Sequence, residues 1–267
     1  MTALSFDHRS AGGGTLIRSS MQLARRGIVS MVRVPATFLP ALIMPIFQAI
    51  AFSGTYYAIT QIPGFPTDRS INWFLPLACA MGSGFSGLGL GFTAVRDLES
   101  GFYDRLRMAP APPGTLILGP LITCWIRVLI TVSIVLVVGV VAGARPTDGV
   151  LGLVTLYVGC VGVASIAAGW GLGLAFHFGD MRAAALMQLT LFIALFLTDA
   201  QMPIDIMSGW LHVVATVNPF TYVLRLIRQG FIGDVSWADS WGGLLTIAVL
   251  GALSVAFARR GLDRLAR

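Results

Sequence analysis

The sequence predicts an all-α integral membrane protein with six membrane-spanning helices, and three observations support this fold class. First, the chain of 267 residues is 56% hydrophobic and 11% charged, with a mean hydropathy of +0.81, which is too apolar for a soluble domain of this length. Second, it contains six apolar runs that suit the ~20 residues needed to cross a hydrocarbon core of ~30 Å. Third, arginines are concentrated in alternate segments between these runs.

A polar N-terminal segment precedes the first apolar run. Residues 1–14 are rich in glycine, and we expect them to be disordered and cytoplasmic. From 15 to 33, helical spacing places Arg18, Arg25 and Arg26 on one side and apolar side chains on the other. This pattern predicts an amphipathic interface helix that lies on the membrane surface with its arginines at the headgroups. An ordinary solvated helix is the alternative.

Residues 15–260 are predicted to form a single transmembrane domain, with a cytoplasmic tail at 261–267. The six predicted spans have the approximate bounds 34–58, 71–94, 116–142, 151–176, 184–201 and 241–258. Two of them contain pairs of glycines four residues apart, Gly87 with Gly91 and Gly169 with Gly173. Because such pairs let helix backbones approach closely, we interpret them as packing sites. A flexible lining of a substrate path is the alternative.

The arginines indicate the orientation of the spans. If the N-terminus is cytoplasmic, thirteen of the 18 arginines lie on the cytoplasmic side and four lie outside. The excess of arginine in cytoplasmic segments is the usual pattern for membrane proteins, so both termini are predicted to be cytoplasmic. The remaining arginine, Arg127, falls inside the third span, where a charge costs roughly 2.5–3.5 kcal/mol. It should reach the interface or face a partner, and a substrate contact is the alternative.

The segment 201–240, between the fifth and sixth spans, is too apolar for a solvated loop and too interrupted for another crossing. Asn218-Pro219 and several glycines divide it into short pieces. We expect two short re-entrant helices that enter the outer leaflet, since backbone at that depth must be helical or buried in protein. Trp210 and Tyr222 suit the aromatic belt at the membrane interface.

A charged loop at 95–115 separates the second and third spans. It contains the stretch Gly101–Pro110, GFYDRLRMAP, flanked by further charges. So many charges cannot lie in hydrocarbon. The loop must therefore lie in water at a membrane face, where it can bind a partner.

Several classes of function are disfavoured by what the sequence does not contain. The chain has no lysine, and a Walker A phosphate loop requires one, so any ATP hydrolysis must occur on another polypeptide. Its three cysteines lie in separate apolar runs without ligand spacing, and no metal site is expected. The net charge of +6 is better explained by membrane topology than by nucleic acid. No motif of a membrane-embedded enzyme is present.

The order of these features resembles a known family. A basic N-terminal helix and two spans are followed by the charged loop ESGFYDRLRMAP, three more spans, MPIDIMSGWL and NPFTYVLRLIR before the last span. In this order the motifs resemble the ABC-2 type permeases, most closely the daunorubicin-resistance exporter branch, with the fold of type V exporters. The resemblance extends from about residue 15 to residue 260.

The resemblance implies roles for two sets of residues. By analogy, the loop after the second span forms a coupling helix that docks on a separate ATP-binding subunit. Its matching positions are Glu99, Gly101, Asp104, Arg105, Leu106 and Pro110. By the same analogy, the segment before the last span closes the outer end of the pathway. Its matching positions are Pro203, Trp210, Asn218, Pro219, Tyr222 and Arg228.

The resemblance also implies an assembly and a location. It implies a permease subunit of an ATP-driven exporter in the bacterial plasma membrane, with a second permease, the same or homologous, and two ATPase subunits that bind ATP and Mg. The chain itself is expected to bind no cofactor and to be no enzyme. An amphiphilic cargo, namely a drug, a lipid or a lipid-linked glycan, suits spans with so few charges. A non-transporting sensor or scaffold and an ion-coupled carrier remain alternatives.

Overall fold

The all-α prediction is confirmed by a computed structural model that describes residues 13–33, 39–101 and 114–265. Within these residues every regular element is helical. The α-helices, numbered in chain order, are α1 Gly13–Arg33, α2 Leu39–Thr55, α3 Ser70–Glu99, α4 Thr115–Val141, α5 Gly149–Phe178, α6 Arg182–Phe196, α7 Trp210–Val217, α8 Pro219–Ile232 and α9 Trp237–Leu265. Short 3₁₀ turns occupy Tyr57–Gln61 and Ile204–Ile206. The segment 1–12, predicted to be disordered, lies outside the described residues.

Within the part of the chain that the structure describes, four helices are long and apolar enough to cross a membrane, namely α3, α4, α5 and α9, with 30, 27, 30 and 29 residues. The chain is therefore a multi-pass membrane protein. The first and fifth predicted spans correspond to shorter apolar helices, because α2 has 17 residues and α6 has 15. At 1.5 Å per residue these helices are only about 26 Å and 23 Å long.

Helix α6 ends at Phe196, five residues before the predicted end of the fifth span at 201. A local turn explains the early end. The Thr198 hydroxyl donates to the Leu195 carbonyl at 2.6 Å and accepts from the Ala200 N–H at 3.2 Å. Such side-chain hydrogen bonds offer the backbone an alternative to the next helical turn.

Helices α3 and α5 form the centre of the bundle and pack through glycine. A Cβ added at Gly87 would stand 2.8 Å from Ala167 Cβ and 2.9 Å from the Ala168 backbone N. One added at Gly91 would stand 2.8 Å from the Gly171 carbonyl. The two backbones can therefore lie this close only because no side chain separates them. Helix α9 packs in the same way against another side of α5. A Cβ added at Gly169 of α5 would come within 2.6 Å of the Ser254 hydroxyl of α9.

Helices α3 and α4 are antiparallel, because Gly139 near the end of α4 lies against Leu75 near the start of α3, and the short connection 142–148 makes α4 and α5 antiparallel. The bundle therefore has two ends. We call one the Asp97 end; it contains the last turns of α3, α5 and α9 and the first turns of α4 and α6. We call the other the Arg228 end; it contains the opposite ends of the same helices together with α7 and α8. Glu99 and Gly101, the two predicted coupling residues that the structure describes, lie at the Asp97 end, and the residues predicted to close the pathway lie at the Arg228 end.

Candidate functional site

The predicted coupling loop 95–115 is shortened at both ends in the structure, because residues 95–99 still belong to α3 and Thr115 begins α4. Glu99 is the last residue of α3, and Gly101 adopts a left-handed conformation, with φ of +65°. A glycine in this conformation ends a helix at no steric cost, and the Gly101 N–H donates back to the Leu98 carbonyl at 3.0 Å. The other predicted coupling residues, Asp104, Arg105, Leu106 and Pro110, lie within 102–113, outside the described residues.

An ion pair joins the N-terminal helix to the end of α3. Arg26 Nη2 lies 3.2 Å from Asp97 Oδ1, and Arg26 Nη1 lies 3.5 Å from Asp97 Oδ2. The pairing is bidentate, which fixes the mutual orientation of the two groups as well as attracting them. Asp97 belongs to the predicted coupling loop 95–115 and lies in the last turn of α3, so α1 is attached directly to the first part of that loop. The other two predicted residues of the interface helix, Arg18 and Arg25, are exposed.

Helix α1 also packs against the helix that follows the loop. A Cβ at Gly119 in α4 would come within 2.7 Å of Leu23 Cβ and 3.1 Å of the Ser20 carbonyl. The Thr123 hydroxyl donates to the Ala24 carbonyl at 3.3 Å. The side of α1 that contacts the bundle is thus formed largely by small residues, while the apolar side chains Ile17 and Met21 stay exposed. Helix α1 therefore contacts both elements that flank the loop.

At the Arg228 end, Asn218 connects two helices. Its carboxamide oxygen accepts from the Phe220 N–H at 3.0 Å, which caps α8, and Pro219 occupies the first helical position. The carboxamide NH₂ donates to the carbonyls of Ala194 and Leu197 at 3.0 Å and 2.7 Å. These carbonyls end α6 and have no partner within the helix. One side chain thereby fixes the start of α8 to the end of α6.

Arg228 is the centre of a buried polar cluster. It is 1% exposed, and its Nη1 lies 3.3 Å from Oδ2 of Asp199, which is 4% exposed. The same guanidinium donates to the carbonyls of Asp199 and Ala200 at 3.3 Å and 3.2 Å and lies 3.7 Å from the ring centroid of Trp73. A buried charge requires such compensation, and a guanidinium over an indole face adds a cation–π attraction.

Further hydrogen bonds hold the end of α8 in place. The Asn72 carboxamide donates to the carbonyls of Arg145 and Phe231, each at 3.0 Å, and accepts from the Arg145 N–H at 2.9 Å. The Thr147 hydroxyl donates to the Gly230 carbonyl at 3.1 Å. The backbones of Gly230 and Gly152 are in direct contact. Helix α8 is therefore bound to α3, to α5 and to the connection between α4 and α5.

The remaining residues predicted for this end are more exposed. Trp210 is the first residue of α7 and is 70% exposed, whereas Tyr222 is 38% exposed and lies against Gly242 of α9. Pro203 is buried and precedes the 3₁₀ turn Ile204–Ile206. These three residues lie at the same end as Arg228, but no hydrogen bond recorded among the described residues joins them to the Arg228 cluster.

Sequence reasoning did not identify three partners that the structure brings to these sites, namely Asp97, Asp199 and Trp73. Asp199 had a usable signal, because it is the one acid in the predicted fifth span. The rule that singled out Arg127 applies equally to it. Arg127 itself is 8% exposed and faces α3, with Nη1 3.2 Å from the position of a Cβ at Gly89.

An aromatic cleft of about 210 Å³ opens between α2, α3 and α6. Phe85 and Phe192 meet edge to face at 5.8 Å between ring centroids, and Phe196 follows one turn later. Met44 and Gln48 of α2 also line the cleft. Aromatic rings and thioethers adapt to apolar ligands of different shape.

Similarity to known proteins identifies the family of this chain. The model of the ABC-2 type transporter family matches residues 19–232. The ycf38 protein of Pyropia yezoensis, named as a transport permease, is 29% identical over 246 residues, which cover 86% of this chain and 81% of that protein. The daunorubicin resistance ABC transporter permease DrrB1 of Streptomyces coeruleorubidus is 20% identical over 265 residues, covering 96% and 89%.

A third relative, the multidrug ABC transporter permease YbhR of Escherichia coli K12, is 25% identical over 174 residues, which cover 63% of this chain and 46% of YbhR. The family match includes α1, the helices on both sides of the charged loop, and α8 with Asn218 and Arg228. The chain belongs to the ABC-2 type transporter family and is a multi-pass membrane permease.

Proposed function

We propose that this chain is the membrane-spanning subunit of an ATP-driven exporter and that a separate ABC ATPase binds ATP and Mg at its Asp97 end. The observation that carries the proposal is the attachment of α1 to α3 and to α4, the two helices that the predicted coupling loop 95–115 connects. The Arg26–Asp97 ion pair holds α1 to the end of α3, and Gly119 and Thr123 hold it to the start of α4. A partner that moves the loop would therefore move three helices together.

The aromatic cleft is the proposed substrate surface. Its side chains are apolar except for Gln48, which favours an amphiphilic drug, lipid or lipid-linked glycan over a hydrophilic ion. One chain offers this surface on one side only. A second permease, the same or homologous, related by two-fold symmetry would complete the path, and two ATPase subunits would serve the pair.

The Arg228 end is the proposed closure of the pathway. Helix α8 enters the bundle without crossing it and is held by Asn218, Arg228 and Asn72. Protein contacts of this kind are what non-spanning backbone needs at membrane depth. In this proposal α2 and α6 complete six crossings, both termini are cytoplasmic, and the protein resides in a bacterial plasma membrane.

The ion pair provides a direct test, because its stability contribution is small. Arg26 is 50% exposed and Asp97 is 19% exposed, so the pair should contribute only about 0–1 kcal/mol to stability. We expect Asp97→Arg to leave folding intact but to lower ATP-driven transport of an amphiphilic fluorophore in proteoliposomes containing the ATPase. The double variant Arg26→Asp with Asp97→Arg should recover most of the transport.

A matched control exists at the same end of the bundle. Arg182 and Asp180 form an exposed pair at 3.4 Å within one turn, so reversing both charges should leave transport unchanged. If Asp97→Arg transports like the wild type, or if the double variant recovers nothing, α1 has no part in coupling through this pair.

A specific observation favours an ion-coupled carrier as a second candidate. Asp199 is buried, and its Oδ1 has no hydrogen-bond partner among the described residues, so a proton could bind there. The two mechanisms respond differently to energy sources. Transport that requires ATP and persists with a protonophore supports the exporter, whereas transport driven by a proton gradient without any ATPase supports the carrier. A chain that transports under neither condition would be a sensor or scaffold.

A further inference from the structure

A second cleft, separate from the aromatic cleft, lies between α6 and α9 with α5 as its floor. Its volume is about 340 Å³, within the range of ~300–1,000 Å³ typical of ligand sites. Its walls include Leu191 and Ala194 of α6 and Leu253 and Phe257 of α9, with Trp170 of α5 between them. Because α5 and α9 are candidate membrane spans, the cleft opens at the depth of the lipid chains.

The polar groups in this cleft are already satisfied by the protein. The Trp170 indole N–H donates to the Thr190 hydroxyl at 2.9 Å, and that hydroxyl donates to the Leu186 carbonyl at 2.7 Å. The Ser254 hydroxyl donates to the Gly251 carbonyl at 2.9 Å. None of these three side chains has a hydrogen-bond donor left for a ligand that enters the cleft. The cleft therefore suits hydrocarbon and disfavours a polar molecule.

A continuous stack of rings leads from the cleft to charged groups at the Asp97 end. Trp170 stacks on Phe257 at 5.2 Å between centroids, and Phe257 stacks on His177 at 4.8 Å. His177 Nε2 lies 2.9 Å from Arg264 Nη1. Each of these rings is thus in contact with the next, and the path from apolar cleft to arginine has no break.

The helical repeat places a second arginine on the same side of α9. Leu253, Phe257, Arg260 and Arg264 follow one another at intervals of four, three and four residues, which is the spacing of one helix face. Leu253 and Phe257 line the cleft, and Arg260 and Arg264 are exposed beyond it. An apolar cavity in the membrane with two cations at its headgroup end is complementary to a lipid with a negative headgroup.

We propose that this cleft binds one acyl chain of an anionic phospholipid, with the phosphate of the lipid beside Arg260 and Arg264. The site lies on the α9 side of α6, away from the aromatic cleft, and goes beyond the proposed export function. The bound lipid is a structural ligand rather than cargo. It fills the space between α6 and α9 and attaches the Asp97 end of α9 to the membrane surface.

The test uses the purified full-length chain and native mass spectrometry with an equimolar mixture of phosphatidylglycerol and phosphatidylcholine that have identical acyl chains. The wild type should retain phosphatidylglycerol preferentially, by about fivefold for each arginine. The double variant Arg260→Gln with Arg264→Gln should bind the two lipids equally while retaining as many lipid molecules in total. Arg259→Gln, on the neighbouring residue and another side of α9, is the control and should keep the preference.

Two variants fill the cleft from opposite walls, so that a folding defect in one leaves the other informative. Ala194→Phe and Leu253→Trp should each remove one retained lipid molecule per chain, whereas Ala248→Phe on the exposed side of α9 should not. The proposal is overturned if neither filling variant changes the number of retained lipids or if the double arginine variant keeps its preference. It is equally overturned if filling the cleft dissociates a dimer, or if an exported amphiphile displaces the lipid competitively.

Discussion

The buried environment of Arg228 limits the substitutions that this position can tolerate. Its charge is buried and is compensated by Asp199, by two backbone carbonyls and by the face of Trp73. The sequence alone assigned Arg228 to a re-entrant segment on the outer side and named no partner for it. Asp199 is 29 residues away, and no spacing rule connects a position on α8 with one in the turn that follows α6. The sequence shows that Asp199 is the one acid in its apolar run, but it does not show that Arg228 is its partner.

Removal of the arginine should therefore be costly. We expect Arg228→Leu to destabilise the protein by about 3–5 kcal/mol, because it leaves Asp199 buried without its counterion. Arg228→Leu combined with Asp199→Asn should be more stable than the single variant, since no unpaired charge remains. Thermal unfolding of the purified protein in detergent measures both effects.

Arg225 provides the control for this prediction, because it lies one turn earlier on α8 and is only half-buried. Its guanidinium is 5.8 Å from the Tyr222 ring centroid, a contact worth about 0.5–1 kcal/mol at such a site. Equal losses for Arg225→Leu and Arg228→Leu would show that the buried pair is not what holds α8.

At the scale of elements, the sequence predicts the helices better than it predicts their contacts. Hydropathy locates α3, α4, α5 and α9 because each of these apolar runs is close to or above the ~20 residues needed to cross a membrane. The ends are less predictable, since the long helices continue beyond the apolar runs into polar residues such as Arg96 to Glu99. Contacts between elements depend on facing residues from distant segments. The contact of Gly230 with Gly152 is an example, because neither glycine belongs to a pair of glycines four residues apart in the sequence.

That contact gives a prediction for the packing of α8. A Cβ at Gly230 would meet the Gly152 backbone directly, and one at Gly152 would stand 2.8 Å from Gly230 Cα. Gly230→Ala should therefore force α8 away from α5 and destabilise the protein by about 1–3 kcal/mol. Gly233 lies three residues later with no atom within 4 Å of its Cβ position and an extended φ of −178°. Gly233→Ala should leave the unfolding temperature unchanged, and a similar loss in both variants would contradict this account.

At the scale of the whole molecule, the two ends should face opposite sides of the membrane. Met181 at the Asp97 end is 53% exposed, and Asp234 at the Arg228 end is also exposed. Single cysteines at these positions can be introduced after replacement of Cys79, Cys124 and Cys160, which are buried. An impermeant thiol reagent should label Asp234→Cys in intact cells and Met181→Cys only in opened cells. Labelling of Met181→Cys from outside would reverse the orientation that the arginines predict.

We expect a soluble ATPase to act on the bundle through the predicted coupling loop 95–115. Arg105 lies in that loop, whereas Arg145 is exposed at the opposite end of the bundle. Truncation of one member of a buried interfacial charge pair typically costs about 2–5 kcal/mol, which corresponds to a loss of affinity of about thirtyfold or more. Arg105→Ala should therefore retain its membrane insertion but lose its binding to the ATPase, and Arg145→Ala should retain both.

The most direct measurement compares the amount of ATPase that copurifies with each variant at matched expression, together with substrate-stimulated ATP hydrolysis. We expect a strong reduction of both quantities for Arg105→Ala and wild-type values for Arg145→Ala. Wild-type values for both variants, or a wild-type chain that copurifies with no ATPase, would contradict it.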